Sequence, residues 1–325
     1  MELGDYRAQI DEIDHKLVEL FAKRMDVAAG IAAYKKEHGL PVLDPVRERE
    51  KLQKTVQSAP EALRDYTASL YSLLFELSRC YQNRLLGGDT ALTCEIQTAM
   101  DETPKLFPTQ ASVACQGVAG AYSQLACDKL FKLPNIMYFA SFEAVFAAIE
   151  KGLCRYGVLP LENSTAGSVN AIYDLMMKHD FRIVRSVRLK VDHNLLVKPG
   201  TRREDITEIY SHQQALTQCQ RYLQGFPGVK LIPCENTAVA ARKVAEDDGH
   251  IAALSSRSCM KLYGLECLEA SVQDQGNNFT RFICISKKLE IYPGADRTSL
   301  MAVLPHEPGS LCRVLSRFYA LGLNL

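Results

Sequence analysis

The sequence predicts a multidomain protein in which an all-α region comes first and an α/β region follows. Residues 5–48 read as a long helix, a short turn and the start of a second helix, and from Ile10 to Ile31 the apolar side chains recur at the three- and four-residue spacing of one helix face. Beyond Pro108, short apolar runs typical of strands alternate with helical segments, which indicates a largely covered sheet. A chain of 325 residues is long enough for two or three such domains.

The composition excludes several classes of function. Lys plus Arg and Asp plus Glu both total 38, so the charge balance indicates neither nucleic acid nor an acidic membrane surface as a partner. No apolar run approaches the roughly 18 residues that a membrane span needs, and the N-terminus lacks the apolar core of a signal peptide. We therefore expect a cytoplasmic protein.

The eleven cysteines fall singly along the chain. They form no C-x-x-C pair and no zinc-ligand spacing with the seven histidines. This pattern predicts buried, reduced thiols in a cytosolic protein, and it predicts no metal site.

Three helices are predicted in the all-α region, residues 1–87. The first ends near Gly39, a residue type suited to a C-terminal cap. Asp44 has the position of an N-cap, with Pro45 at the first helical position, and this second helix continues to about Ser58. A third helix runs from Pro60 to about residue 86. Three helices of unequal length cannot cover the apolar stripe of the first, which favours an intertwined dimer.

Three cations lie within the first helix: Arg7, Arg24 and Lys35. At about 100° and 1.5 Å per residue, Arg24 and Lys35 are about 20° apart around the helix and roughly 16 Å apart along it. Their long side chains can therefore converge on one small anion. Arg7 lies about 25 Å from Arg24 and can join such a site only from a second, antiparallel copy. From spacing alone, a solvated helix surface is the simpler interpretation.

A set of polar residues over positions 1–86 resembles, in order and intervals, the active site of the all-helical chorismate mutases. The set is Arg7, Arg24, Lys35, Asp44, Arg47, Glu48, Ser78 and Gln82. The last two are four residues apart and therefore share a helix face. The resemblance implies that the groups holding the two carboxylates of chorismate are Arg7 of a partner chain, Arg24 and Arg47.

The same resemblance assigns the remaining groups to the ether and hydroxyl sides of chorismate. Lys35 and Gln82 would donate hydrogen bonds to the ether oxygen. Glu48, with Asp44 nearby, would bind the hydroxyl side. The rearrangement to prephenate moves no proton, so it requires positioning and charge stabilisation and needs no cofactor.

Residues 88–109 are predicted to be a linker, because the helical pattern is lost and glycine and proline punctuate the segment. Helices are predicted at residues 123–131 and 142–151. Strands are predicted at residues 112–115, 156–160, 183–189, 193–197, 209–210, 251–254 and 282–286.

Four polar stretches interrupt the α/β region, at residues 117–123, 161–170, 211–219 and 277–282. Taken singly, each is an ordinary helix cap or turn. The glycines of the first stretch are three apart, which excludes the dinucleotide-binding and P-loop patterns. Taken together, hydroxyl and amide side chains at several helix N-termini would suit a small dianion if they face one cleft.

Through all four stretches in order, residues 110–288 resemble the prephenate dehydratases. The resemblance implies two α/β lobes around a cleft, as in the periplasmic binding proteins, and it makes Thr280 the essential group. The residues that match the cleft or lie in matching motifs are Ser123, Glu162, Asn163, Ser164, Ser211, Gln218 and Arg281. Hydroxide departs together with carbon dioxide, so we interpret Thr280 as a positioned hydrogen-bond donor rather than a strong acid, and no cofactor is required.

Residues 296–325 resemble the first half of an ACT domain, an α+β amino-acid-sensing fold. A strand is predicted at residues 298–304, followed by a glycine-containing turn and a helix to about Leu321. The family's domain would continue beyond Leu325. The resemblance implies phenylalanine as an effector, with Gly309, Ser310, Leu311 and Asn324 as candidate contacts.

Together these patterns favour a cytoplasmic bifunctional enzyme of phenylalanine biosynthesis that forms a homodimer or higher oligomer. Its small-molecule partners would be chorismate and prephenate. Two alternatives stay open from the sequence. One is an amino-acid-responsive binding protein without turnover, and the other is an active mutase whose second region is inert.

Overall fold

A computed structural model of the chain describes residues 2–87 and 90–325. For Ala320 it describes the backbone alone. The chain forms two compact units. The first comprises the residues up to Leu92 together with Leu300–Leu325, and the second is Thr93–Ser299. Within the described residues, no helix is both long enough and apolar enough to cross a membrane.

The regular elements of the first unit are all helical, as predicted for residues 1–87. Its elements are helix α1 (Leu3–Glu37), helix α2 (Pro45–Ser58), a 3₁₀ turn (Glu61–Leu63), helix α3 (Arg64–Leu86) and a C-terminal helix (Ser310–Ala320). The predicted caps are confirmed. Gly39 has a φ of +63° after α1, and the side chain of Asp44 accepts a hydrogen bond of 3.0 Å from the backbone N–H of Arg47.

Helix α1 contacts α3 along its C-terminal half and buries only two alanines, Ala28 and Ala32. The large apolar residues of its predicted stripe remain exposed in the single chain. The exposed fractions of Ile13, Leu17 and Val27 are 55%, 54% and 65%. The stripe predicted from the spacing is present, but one copy of the chain does not cover it.

The predicted linker at residues 88–109 is wrong over most of its length. Residues 88 and 89 lie outside the described part of the chain, but helix α4 (Ala91–Glu102) follows directly. Leu92, Ile96 and Met100 recur every four residues and form an apolar stripe. The flanking glycine and proline residues mark the ends of this short helix rather than an irregular segment.

The second unit alternates strands and helices, as predicted. The elements before residue 191 are β1 (Gln110–Gln116), α5 (Tyr122–Leu130), β2 (Leu133–Phe139), α6 (Phe142–Glu150), β3 (Tyr156–Asn163), β4 (Gly167–Ser168), α7 (Asn170–Lys178) and β5 (Arg182–Lys190). The elements that follow are β6 (Asn194–Val197), a 3₁₀ turn (Arg203–Asp205), β7 (Glu208–His212), α8 (Gln213–Gln218), α9 (Gln220–Leu223), β8 (Lys230–Cys234), α10 (Thr237–Glu246), β9 (Ile251–Ser255), α11 (Ser258–Tyr263), β10 (Glu266–Glu269) and β11 (Phe279–Ser286).

These strands form two sheets, one in each lobe of the unit. The first sheet has the order β2-β1-β3-β11-β5, with β4 paired to β3, and the second has the order β10-β6-β9-β7-β8. Both sheets are mixed. In the first, β1 is parallel to β2 and β3, whereas β11 is antiparallel to β3 and β5. In the second, β7 is parallel to β8 and β9, whereas β6 is antiparallel to β9 and β10. Apolar cores surround each sheet. The chain passes between the lobes twice, between β5 and β6 and between β10 and β11.

Besides the two-residue strand β4, three strands were not predicted: β2, β8 and β10. Each lies at the edge of its sheet. Exposed and partly buried residues are interspersed along these strands, and Pro134 and Pro233 interrupt the apolar pattern of β2 and β8. Proline is tolerated on an edge strand because its missing N–H can face away from the ladder. The continuous apolar runs that identified the other strands occur mainly on buried central strands.

The strand predicted at residues 298–304 is wrong, because this segment has no regular secondary structure. A strand persists only where a neighbour satisfies its backbone N–H and C=O groups, and none of the described strands pairs with these residues. The helix predicted after the turn is confirmed as Ser310–Ala320.

Candidate active sites

A cavity of about 360 Å³ opens in the first unit between α1, α2 and α3. Most of the predicted polar set lines it. The lining residues are Arg24, Val27, Ala28, Ile31, Lys35, Val42, Asp44, Arg47, Glu48, Phe75, Ser78, Arg79 and Gln82. Cations therefore gather around a space large enough for a small carboxylate ligand.

Backbone and hydroxyl groups hold the two helix cations at this cavity. The guanidinium of Arg24 donates to the Ser78 hydroxyl and, over 3.1 Å, to the carbonyl of Leu74. The ammonium of Lys35 donates over 2.6 Å to the carbonyl of Val42, in the loop between α1 and α2. None of these acceptors neutralises the cation, so both charges remain available to an anionic ligand.

Gln82 provides an amide at the cavity wall. Its side chain is largely buried, with 7% exposure, and its Oε1 has no hydrogen-bond partner within the described residues. A buried amide oxygen without a partner costs free energy, so this oxygen is suited to accept a hydrogen bond from a bound molecule, whereas donation from Gln82 must come from its Nε2.

Arg7 does not line this cavity. It lies near the start of α1 and is exposed. The cavity in one chain therefore contains every member of the predicted set except the residue that helix geometry assigned to a second copy.

The sequence analysis missed Arg79, which lines the same cavity. Its Nη1 donates to both carboxylate oxygens of Glu48, one at 2.5 Å, and its Nη2 donates to Oε2 of Glu76 at 2.5 Å. The available signal was its position in α3, next to Ser78 and three residues after Glu76.

In the second unit, the pairing of β3 with β11 brings Asn163 opposite Thr280. The Nδ2 group of Asn163 donates to the Thr280 hydroxyl oxygen over 2.9 Å. The orientation of the Asn163 amide is fixed from its other side, because its Oδ1 accepts from the backbone N–H groups of Thr165 and Ala166 over 3.0 and 2.9 Å. Thr280 therefore accepts from Asn163 and can donate its own hydrogen to a bound group.

A chain of neutral amides continues from Asn163 to the other lobe. Asn163 also donates to Oδ1 of Asn278 over 2.7 Å, and Asn278 donates to Oε1 of Gln218 over 2.9 Å. The Nε2 of Gln218 donates to the Thr165 hydroxyl over 2.8 Å. This network crosses from β11 to α8, so the two lobes meet at the residues predicted to line the cleft.

His193 forms a hydrogen bond with Gln218, and the sequence analysis did not identify this histidine. Its Nε2 lies 2.9 Å from the Gln218 Oε1, an oxygen that can only accept, so Nε2 carries the proton. The ring is 3% exposed, and its Nδ1 has no partner within the described residues. Burial lowers the pKa of His193 below its ordinary value, because the surroundings disfavour the charged ring. His193 lies where the chain crosses between β5 and β6, and Asn278 lies where it crosses between β10 and β11. This position at a crossing was the signal that could have identified His193.

Glu162 and Arg281 are the sequence neighbours of Asn163 and Thr280, but their side chains do not join this network. They are partners in the β3–β11 register, and their side chains form an ion pair of 3.5 Å. Successive side chains of a strand point to opposite faces. The pair therefore lies on the other face of the sheet from Asn163 and Thr280, and the structure does not bring these two charged residues to the amide network.

The three predicted serines form contacts within the fold. The Ser164 hydroxyl donates to the carbonyl of Asn277 over 2.8 Å, which joins the turn after β3 to the start of β11. Ser211 is fully buried and donates to the carbonyl of Leu254 over 2.7 Å. Ser123 is buried near the start of α5.

The candidate effector contacts lie around the start of the C-terminal helix and just after its end. Gly309 caps the helix with a φ of +81°, a conformation that favours glycine. Ser310 is buried and accepts a hydrogen bond of 3.1 Å from Arg313, whereas Leu311 and Asn324 are exposed. Within the described residues, no group of three or more His, Cys, Asp or Glu side chains is arranged to hold a metal ion.

Comparison with known proteins identifies two family models on this chain. A model described as chorismate mutase type II matches residues 6–83, and one described as prephenate dehydratase matches residues 113–290. The bifunctional chorismate mutase/prephenate dehydratase of Escherichia coli strain K12 is 32% identical over 321 residues, which cover 95% of this chain and 79% of that protein.

Two solved structures resemble the second unit. The prephenate dehydratase of Arthrobacter aurescens in complex with L-Phe has a TM-score of 0.57 at 24% identity, over 65% of this chain and 73% of its own. A protein described as GqqA, a novel type of quorum quenching acylase, has a TM-score of 0.55 at 28% identity, over 65% of this chain and 78% of its own.

Proposed function

This chain belongs to the family of bifunctional chorismate mutase/prephenate dehydratases, and we propose how its residues divide the two reactions between its two units. The protein rearranges chorismate to prephenate and converts prephenate to phenylpyruvate, two steps on the route to phenylalanine. The observation that carries the proposal is that one chain contains both a cation-lined cavity and the oriented Thr280 hydroxyl.

The mutase site is the cavity of the first unit. Arg24 and Arg47 bind the carboxylates of chorismate, and Lys35 and Gln82 donate to the ether oxygen on which charge develops as the bond breaks. These donors stand in place before the reaction, so they stabilise the transition state without reorganising. The remaining residues of the predicted set in this cavity bind the hydroxyl side or support Arg24; they are Asp44, Glu48 and Ser78.

The mutase site is completed by a second copy of the chain. Arg7 of the partner supplies the missing cation, and the exposed apolar stripe of α1 is the surface on which the copies join. Support comes from the exposure of Ile13, Leu17 and Val27 and from the position of Arg7 outside its own cavity.

Mixing two inactive variants tests the shared site. Arg7→Ala and Arg24→Ala homodimers are each expected to lack mutase activity, and hybrid dimers are expected to regain one working site. Subunit exchange is verified by differently tagged chains, and the dehydratase rate on added prephenate reports that both chains are folded. No recovery after verified exchange would refute the shared site.

The dehydratase site is the region around Thr280 between the two lobes, in an arrangement like that of the periplasmic binding proteins. The Thr280 hydroxyl donates to the departing hydroxide, while Asn163 donates to its oxygen and so keeps the hydrogen directed at the substrate. Gln218 and Asn278 hold prephenate and position Asn163. The ring becomes aromatic as carbon dioxide leaves, so a well-placed neutral donor is sufficient.

We further propose that the protein is cytoplasmic and that phenylalanine regulates it. The L-Phe complex of the Arthrobacter aurescens dehydratase supports the effector class. The contacts would come from the ACT-like segment at residues 296–325, namely Gly309, Ser310, Leu311 and Asn324. Single free cysteines fit a reducing compartment. Burial raises the thiol pKa of five of them, and a hydrogen bond with Cys115 together with burial raises that of Cys127.

Incubating the purified protein with chorismate alone tests both activities at once. We expect chorismate to disappear and phenylpyruvate to form. An amino-acid-responsive binding protein without turnover would leave chorismate untouched. A mutase with an inert second region would consume chorismate and accumulate prephenate.

A further inference from the structure

A row of alternating charges extends from the mutase cavity through α3 to the C-terminal helix. Glu48 pairs with Arg79, Arg79 also pairs with Glu76, and Glu76 accepts from the guanidinium of Arg317. The side chains of Glu48, Arg79 and Glu76 are 27%, 17% and 13% exposed, so these contacts are shielded from water. All of these residues belong to the first unit.

Glu48 presents an electrostatic difficulty at this site. Its carboxylate lines a cavity that is to receive a dianion, and it stands among the cations that are to bind that dianion. Unrestrained, it would repel the ligand or pair with Lys35 or Arg47 and occupy them. Its described ion pair is instead with Arg79, whose planar guanidinium contacts both carboxylate oxygens.

The guanidinium of Arg79 is held by Glu76, which is itself held by Arg317. Its Nη2 donates to Oε2 of Glu76 over 2.5 Å, and the other oxygen of Glu76 accepts from Nε of Arg317. Burial opposes the ionisation of Glu76, but the hydrogen bonds from Arg317 and Arg79 outweigh it and lower the pKa of Glu76. Glu76 is therefore charged at neutral pH and holds the guanidinium in one orientation.

We propose that Arg79 is a positioning residue of the mutase reaction, which acts by holding the Glu48 carboxylate at the hydroxyl side of chorismate and away from Lys35 and Arg47. The inference rests on the proposed mutase site. It adds a residue that does not belong to the predicted set, and it makes the C-terminal helix, through Arg317, the outer support of that site.

A double-mutant cycle on the mutase reaction tests this role. The variants are Arg79→Met, Glu48→Gln and the double variant, with kcat and KM measured for chorismate. If Arg79 acts through Glu48, Arg79→Met lowers kcat about tenfold or more in the parent and less than about twofold in the Glu48→Gln background. Equal loss in both backgrounds, or an unchanged kcat in Arg79→Met, would overturn the proposal.

Two further variants separate positioning from folding. Arg79→Lys keeps the charge but has one nitrogen in place of the two that contact Glu48 and Glu76, so it is expected to restore only part of kcat. Glu76→Gln leaves Arg79 in place but loosens it, and a fall in kcat of about two- to fivefold is expected. If Arg79→Met does not fold, these two variants decide the question, and parental kcat in both would contradict the proposal.

The chain supplies its own controls. The dehydratase rate on added prephenate is expected to stay at the parental value in every variant, because the altered residues lie in the first unit. Arg84→Met removes an exposed cation from the same helix and is expected to leave mutase kcat unchanged. A parent chain that does not consume chorismate refutes the proposed mutase function itself, whereas an active parent with an additive cycle refutes only the role of Arg79.

Discussion

The two candidate sites of this chain handle negative charge in different ways. The cavity of the first unit is lined by guanidinium and ammonium groups on long helices, whereas the site of the second unit is a connected network of neutral amides and hydroxyls at strand ends. In the proposed assignment, the first stabilises charge that develops on an ether oxygen, so it uses full charges. The second directs one hydrogen at a leaving hydroxide, so it uses orientation. The proposal thus gives one chain two solutions to transition-state stabilisation.

Removing a cation from the first site is expected to have the largest effect. Lys35→Met should lower mutase kcat about a thousandfold, since a charged donor is stronger than a neutral one. Steady-state rates with chorismate measure this loss. Lys36→Met is the matched control, because Lys36 is the adjacent residue and is exposed. A comparable loss in the control would remove the distinction between cavity and surface cations.

Removing the neutral donor of the second site should cost less. Thr280→Ala is expected to lower dehydratase kcat about a hundredfold, the usual cost of one well-placed donor, and to leave the mutase rate unchanged. Thr280→Ser keeps the hydroxyl and should retain most of the activity. Turnover of Thr280→Ala equal to that of the parent would exclude Thr280 as the donor.

Reversing the direction of one hydrogen bond should sharpen the comparison further. In Asn163→Asp the group facing Thr280 can only accept, so the Thr280 hydroxyl donates to it instead of to prephenate. We expect dehydratase kcat to fall about ten- to a hundredfold, and the unfolding temperature to fall as well, because the hydrogen bond from Asn163 to Asn278 is also lost. Asn135→Asp, at an exposed position of β2, is the control for added charge. Parental kcat in Asn163→Asp would show that orientation is not what this network provides.

The smallest expected effect concerns stability and pH. Burial lowers the pKa of His193, so the folded state stays neutral where the unfolded chain already binds a proton at the ordinary value of 6.5. This group therefore destabilises the protein as pH falls below about 6.5, by up to about 1.4 kcal/mol at pH 5.5. Urea unfolding followed by circular dichroism at pH 7.5 and 5.5 measures this loss, which His193→Gln should reduce. An equal loss in both proteins would contradict the assignment of a buried neutral ring.

The sequence predicted the first site better than the second. A helix repeats regularly, so Arg24, Lys35, Ser78 and Gln82 could be placed on common faces from their spacing, and the cap at Asp44 could be read from residue type. Arg79 was not predicted as a site residue, because nothing in its spacing distinguishes it from a solvated arginine. Its role depends on Glu48, which lies on another helix.

The second site depends on contacts between segments that are distant in sequence. Asn163 faces Thr280 only because β3 pairs with β11 in one register, and His193 reaches Gln218 only because the chain crosses between lobes next to both. Motif order identified Asn163, Gln218 and Thr280, but it also grouped Glu162 and Arg281 with them. The alternation of side chains along a strand separates this ion pair from the amide network.

The most direct test of two independent sites is to incubate the parent and the Thr280→Ala variant with chorismate alone and to follow chorismate loss and phenylpyruvate formation together. We expect the parent to show both signals, and the variant to consume chorismate at the parental rate while prephenate accumulates. If Thr280→Ala slowed chorismate loss as much as phenylpyruvate formation, the two reactions would not occupy separate sites, and the division between a charged site and a neutral one would be wrong.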